Sequence, residues 1–212
     1  MIERGKFAEL HCLSNYSFLR GASHPEELVY KASDLGYSAI AITDECSYSG
    51  LVKAHVAAKQ CGIKLIVGAE FFVDMTHGEE KNSVENIIML APTRQAYGQL
   101  SAFISKIRRK NQKGNSYLCY EDCQIGLSDC LILWSPELQD IDIQVSVGQK
   151  LKTIFQHFWI TLELFQDGFD IDKTAQALTL SSRLNLRLVA SNNVHTHALE
   201  RQPLQDLSLI HI

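Results

Sequence analysis

The sequence predicts an α/β protein of about seven strands separated mostly by helices, closed into a β/α barrel. An open doubly wound sheet is the alternative built from the same elements. Three observations predict this class. Residues 35–70, LGYSAIAITDECSYSGLVKAHVAAKQCGIKLIVGAE, read as strand, helix and strand. Short β-branched runs alternate with segments of helical apolar spacing along the whole chain. Polar residues collect just behind the apolar runs, at the carboxyl ends where such folds gather their chemistry.

The elements follow in order. Residues 7–13 are the first strand, and a polar loop runs to Ala22. Ser23, His24, Pro25 and Glu26 open a helix that carries Leu28, Ala32 and Leu35 and stops at Gly36. The central unit has strands at 38–43 and 63–67, the second continuing to Val73, around a helix ended by Gly62. Both strands are apolar on both faces, as in a sheet clothed by helices. Residues 74–85 read as a surface loop and 87–90 as the fourth strand. Pro92 opens a helix with Tyr97, Leu100, Phe103, Ile104 and Ile107 on one face. Strands at 131–134, 159–165 and 187–191 alternate with helices at 147–155 and 170–182, and a last helix starts at Ala198.

With 46% hydrophobic and 21% charged residues in 212, the composition is that of an ordinary globular protein. Such a length buries roughly 70% of the unfolded surface in a single domain. The net charge of -4 gives no global attraction to polyanions, so any such contact is local, within about 8 Å of its charges. Lys106, Arg108, Arg109, Lys110 and Lys113 form one basic stretch. Its plain reading is a solvated helix end matched to the helix dipole; its second reading is a contact with DNA or another domain. Tyr117 and Tyr120 nearby are packing residues with a wet tip, or stack on bases. The six scattered cysteines, with neither a signal peptide nor a membrane-length apolar run, fit a reduced cytoplasmic setting. Cys119, Cys123 and Cys130 lack the paired Cys-x-x-Cys spacing of a zinc knuckle.

Behind four strands stand His11, then Asp44 and Glu45, then Glu70, then Asn192, Asn193 and His195. Converging at a barrel mouth, imidazoles and carboxylates suit zinc, manganese or iron and metal-assisted phosphoester hydrolysis. Each residue also has a plainer role: a bonded core histidine at 11, helix caps at 44 and 45, an ion pair at 70. His24, His55, His77, His157, His197 and His211 have no companion at ligand spacing and read as surface or packing residues. Ser17 and Ser49 carry no nucleophile signature.

Four stretches carry a resemblance: Glu9 to Ser23 (ELHCLSNYSFLRGAS), Ala41 to His55 (AITDECSYSGLVKAH), Val67-Gly68-Ala69-Glu70, and Leu188 to Asp206 (LVASNNVHTHALERQPLQD). Together they resemble the amino-terminal polymerase-and-histidinol-phosphatase (PHP) domain of bacterial C-family DNA polymerases, nearest to the error-prone branch. The resemblance implies a distorted seven-stranded β/α barrel over residues 1–206. Residues 207–212 would be the truncated start of a following segment or a non-native junction.

The resemblance also implies a metal site, and here this chain departs from the family. His11 matches the first histidine of the family's His-x-His, while Leu13 replaces the second. Arg20 stands for an aspartate before the loop glycine, Glu45 for the histidine after Asp44, and Asn86 for a histidine of the fourth strand. Around Glu163 and Gln166 the sixth strand offers no histidine; in the late Asp-x-His motif Asn193 replaces the aspartate and His195 remains. The implied ligands are thus His11, Glu45, Glu70 and His195, with Asp44 and Asn193 beside them. This set is expected to hold no ion, or one weakly bound zinc or manganese.

By the resemblance, the parent performs template-directed DNA synthesis in damage tolerance. It would use magnesium and catalytic aspartates in a downstream polymerase domain of the same chain. That domain and DNA are the expected partners; a membrane is not. The fragment itself reads as a structural module without proofreading activity. The rival reading is an active metal-dependent phosphoesterase or exonuclease of the PHP family.

Overall fold

The computed structural model describes residues 7–75, 84–124 and 126–210, the side chains of 207–210 excepted. The element order is β1 (Ala8–Glu9), α1 (Pro25–Asp34), β2 (Ala39–Ile42), α2 (Leu51–Cys61), β3 (Lys64–Asp74), β4 (Val84–Ala91), α3 (Arg94–Lys110), β5 (Leu118–Cys119) and a 3-10 turn (Tyr120–Gln124). It continues with β6 (Leu131–Ser135), α4 (Ile141–Ile154), β7 (Phe158–Glu163), α5 (Asp170–Leu184), β8 (Leu188–Ser191), a second 3-10 turn (Leu199–Arg201) and α6 (Gln202–Ile210). The sheet order is β1-β2-β3-β4-β6-β7-β8, with the short β5 paired to β3. This is the strand order of a nearly closed seven-stranded barrel in a mixed α/β protein, as expected. The chain divides into two compact units, Met1–Ala69 with Ser191–Ile212, and Glu70–Ala190. Of the expected features, the stretch 76–83 with His77, the side chain of Leu207, and His211 lie outside the described residues.

In the first unit, β1 pairs parallel with β2 and β2 with β3, Ile42 opposite Val67. Helices α1 and α2 cover them through Leu28, Val29, Ala32, Ala54, Ala57 and Ala58, packed on Cys12, Ile40 and Ile42. Alanines on α2 let the two helices and the sheet approach closely. The α1 start keeps Pro25 in the first turn as expected, but the cap lies one residue later than the string 23–26 suggests: His24 is the N-cap and its N–H donates to Glu27 Oε2 at 2.8 Å, so Glu27, not Glu26, closes it. At the end of α2, Gly62 takes the left-handed φ of 75° that a side chain would resist.

The first strand is shorter than expected, and the cause is one side chain. Glu9 is buried, and its Oε1 accepts the backbone N–H groups of Leu10 and His11 at 3.1 and 3.0 Å. Those N–H groups are therefore satisfied without a neighbouring strand. The same carboxylate accepts Ser191 Oγ at 2.5 Å, the Asn192 N–H at 3.1 Å and Asn192 Nδ2 at 2.7 Å. Pairing resumes beyond it, where Cys12 bridges Val194 in parallel.

In the second unit the expected parallel arrangement is broken once. The fourth strand, β4, runs antiparallel to β6, Ile88 opposite Leu133. A parallel return needs a crossover of a dozen or more residues, which the span between Asp74 and Val84 does not supply. Parallel order resumes between β6 and β7. Ile87, Ile88, Met89, Trp134, Ile160, Leu151 and Leu180 form the buried centre. Glu85 belongs to this core, not to a surface loop: it is buried and accepts Trp134 Nε1 at 2.8 Å. The α4 helix starts six residues earlier than residue 147 because the Asp140 carboxylate caps it, accepting the N–H groups of Asp142 and Ile143. Asp170 lies inside the first turn of α5 and reaches back to the N–H groups of Phe165 and Gln166.

Helix α3 is capped by Thr93, whose side chain accepts the Ala96 N–H, and it buries Ala96, Leu100, Phe103 and Ile107. Tyr97, expected on that face, is 44% exposed. The basic last turn meets Asp122 of the first 3-10 turn. Lys110 bonds to its carboxylate and Lys106 lies 3.7 Å from it. Burial pushes the Asp122 carboxyl up, but hydrogen bonds from Lys110, Cys119 and the Cys119 backbone outweigh it and hold the group below its ordinary value. No helix among the described residues is long and apolar enough to cross a membrane.

Two measurements check these contacts. Glu9→Ala strands several buried donors at once and is expected to cost about 3 to 5 kcal/mol in urea unfolding; an unchanged midpoint would refute the role given to Glu9. For Asp122, a depressed folded value means its stabilisation is full above the ordinary value of 3.8 and is lost as pH falls through the lower folded value. The melting-temperature gap between wild type and Asp122→Asn should therefore be constant above about pH 5 and close in stronger acid.

Candidate functional site

The loop after β1 is organised by Asp44. Its carboxylate, buried at the end of β2, accepts the Ser14 N–H at 2.8 Å, Ser14 Oγ at 2.7 Å and Ser17 Oγ at 2.7 Å. Ser17 Oγ in turn accepts the Glu45 N–H at 3.0 Å. Neighbouring Thr43 ties the same two segments, its N–H and Oγ both meeting the Cys12 carbonyl while Oγ accepts the Cys12 N–H. Two glycines permit the approach. A Cβ at Gly21 would lie 2.0 Å from the Ser14 carbonyl oxygen, and one at Gly50 would lie 2.9 Å from Asp44 Oδ2.

Asp44 is therefore a clamp for the loop, and the helix-cap reading is corrected: α2 begins at Leu51 with Gly50 as its N-cap. Ser14 and Ser17 are its working partners, although in the sequence they look like ordinary loop serines. The signal that could have found them is a carboxylate inside an apolar strand end, which needs donors from somewhere.

The candidate ligands of the first unit sit around this clamp. His11 is fully buried between β1 and the Cys12–Val194 bridge, and Leu13 is equally buried. Glu45 forms an ion pair with Arg20, Nη1 to Oε2 at 3.4 Å, with both side chains partly exposed. His195 Nε2 is 2.9 Å from Asn193 Oδ1, and its Nδ1 is 2.8 Å from Gln205 Nε2. Asn193 holds a left-handed φ of 47°, which places its amide beside that ring. The Cys12 thiol, buried among these groups, is pushed well up by burial, then by Glu9 and Asp44. Two of the histidines expected to be surface or packing residues make side-chain contacts: His197 Nδ1 meets Ser23 Oγ at 2.7 Å and the exposed His24 Nδ1 meets Asn15 Nδ2 at 2.9 Å.

In the second unit Glu70 is fully buried on β3 and accepts Asn86 Nδ2 from β4 at 3.2 Å. Glu163, at the end of β7, accepts Ser135 Oγ at 3.1 Å. Of the basic stretch, Lys106 and Lys110 are drawn to Asp122, while Arg108, Arg109 and Lys113 lie at the surface. Tyr117 donates its hydroxyl to Asp74 at 2.8 Å under the Lys110 ammonium, and Tyr120 reaches Thr153 Oγ1 at 3.2 Å. Cys119 donates to Asp122, and burial pushes the Cys123 thiol up to about 12 and Cys130 to about 11.

Among the described residues no three His, Cys, Asp or Glu side chains are grouped so as to hold a metal ion. A cavity of about 390 Å3 in the first unit lies elsewhere, against α1, with Leu28, Ala32, Tyr37, Ile40 and Val194 in its wall. Glu9 also lines it, with its oxygens already committed to the backbone and to Asn192. None of the four candidate ligands does.

Comparison with known proteins places this arrangement. Residues 9–158 match the PHP domain family. The chain is 46% identical over 202 residues to the error-prone DNA polymerase of Methylococcus capsulatus, covering 94% of this chain and 18% of that one. It is 41% identical over 203 residues to the error-prone DNA polymerase of Idiomarina loihiensis, covering 95% and 19%. The chain thus spans less than a fifth of the length of these relatives. Among solved structures, an amidohydrolase from Chromobacterium violaceum, with bound sulfate and no metal, shares the fold at a TM-score of 0.69 and 15% identity, over 89% of this chain and 87% of that one. The family match covers more than two thirds of the residues and includes the loop, the Asp44 clamp and Glu70, so this chain belongs to the PHP domain family.

Proposed function

We propose that this chain is the amino-terminal PHP domain of an error-prone DNA polymerase and serves it as a structural module without proofreading activity. The observation that carries the reading is similarity to polymerases of that one kind along about 94% of the chain. The parent would extend DNA on damaged templates in the cytoplasm, with magnesium held in a polymerase domain downstream. The candidate ligands support the structural role. His11, Glu45, Glu70 and His195 are fewer than two or three ions need, and Glu45 already faces a fixed cation in Arg20. One divalent ion, zinc or manganese, would find at most a weak site in this set.

A hydrolase of this fold would place a metal-bound water in line with a phosphoester and keep an open coordination position for it. Here neutral or cationic groups, Leu13, Arg20, Asn86 and Asn193, occupy four of the positions where the resemblance calls for ligands. The basic end of α3 is the proposed DNA or domain contact of the parent, with Arg108, Arg109 and Lys113 at the surface beside the paired Lys106 and Lys110.

Elemental analysis with a phosphoester assay in added zinc or manganese tests the first part. Less than about one ion per chain and no turnover are expected; two ions with turnover abolished by His11→Ala or Glu70→Ala would establish the phosphoesterase instead. For the second part, Arg109→Ala/Lys113→Ala in the full-length parent should weaken DNA binding at all sequences and lower the salt slope by about 2. An unchanged slope would leave that helix end to solvent or to a neighbouring domain.

A further inference from the structure

The family's implied ligands at three positions are anionic or imidazole: aspartate at 20, histidine at 86, aspartate at 193. This chain has Arg20, Asn86 and Asn193. Had the ligands been lost without constraint, the replacements would bear no relation to the residues that stayed. Each of the three is instead bonded to a retained or substitute ligand. Arg20 pairs with Glu45, Asn193 with His195, and Asn86 with Glu70.

We infer that this chain has exchanged ion-mediated links for direct side-chain pairs: Arg20 with Glu45, Asn193 with His195, and Asn86 with Glu70. The inference rests on the structural reading of the domain and says what replaced the metal.

The chemistry of each pair favours this reading. A buried carboxylate without a donor is costly. Arg20 supplies a cation that cannot be lost by deprotonation. Asn86 supplies an N–H to Glu70, which has no exposure to water. At His195 both ring nitrogens lie within hydrogen-bond distance of side-chain amides, Nε2 at 2.9 Å from Asn193 Oδ1 and Nδ1 at 2.8 Å from Gln205 Nε2. A metal would have to displace one of these amides to reach the ring. Only Leu13 among the substituted positions has no polar role, and it is absorbed into the core.

Thermal double-mutant cycles on the chain test the inference, each melt run in EDTA and again with manganese or zinc. The cycles are Arg20→Ala with Glu45→Ala, and Asn193→Ala with His195→Ala. In each, the double variant should lose less than the sum of the single losses, by about 1 to 3 °C. The wild-type melting temperature should be the same in EDTA and in metal. At the buried pair, Asn86→His, which restores the family's residue, should melt lower than wild type and not recover with metal. If Asn86→His does not fold, the two cycles decide alone. Additive losses in both cycles, a wild-type melt raised by metal, or recovery of Asn86→His in zinc would each overturn the inference. Turnover of a phosphoester by wild type would overturn the structural reading; additive cycles without turnover would overturn the pairing alone.

Discussion

Where β1 ends, the backbone and the segment 191–192 must find hydrogen-bond partners, and in this chain the buried Glu9 carboxylate supplies them. It accepts the N–H groups of the two residues that follow it, Leu10 and His11, and three donors from Ser191 and Asn192. A buried carboxylate is tolerable only with such partners, so the segments that supply them are held in register. The next residues inherit this geometry. Cys12 can bridge Val194, His11 is enclosed, and the chain leaves the sheet at the point where Asp44 can take hold of it.

In the loop, Asp44 stands next to a candidate ligand, Glu45, and its bonds go to Ser14 and Ser17. A clamp of this kind keeps the strand end shaped as a site whether or not an ion is bound. The strand end is held by Glu9, Asp44 and the apolar layers. Under the proposed structural reading, the donors of a hydrolase site would be missing at Arg20, Leu13, Asn86 and Asn193.

The second unit makes the same point with charge. Five cations in the stretch 106–113 suggest a polyanion partner, but Asp122 already draws two of them and Asn111 closes the helix by donating to the carbonyls of Ile107 and Tyr117. Arg108, Arg109 and Lys113 lie at the surface in a chain of net charge -4. The field of such a patch reaches only about a screening length.

The sequence by itself determined the class of the fold, the positions of most elements and the family, because these follow from local periodicity, caps and contiguous motifs such as Leu51–Cys61 ended by Gly62. It also named the candidate ligands that the resemblance implies, His11, Glu45, Glu70 and His195. Only the tertiary structure decided the reversal of β4, the burial of Glu85 under Trp134, the early end of β1, and the partners of Asp44, Glu45, Glu70 and His195. The physical reason is sequence distance. A carboxylate's role depends on the donors it meets, and these lie up to 183 positions away, as between Glu9 and Asn192, beyond the reach of any local pattern.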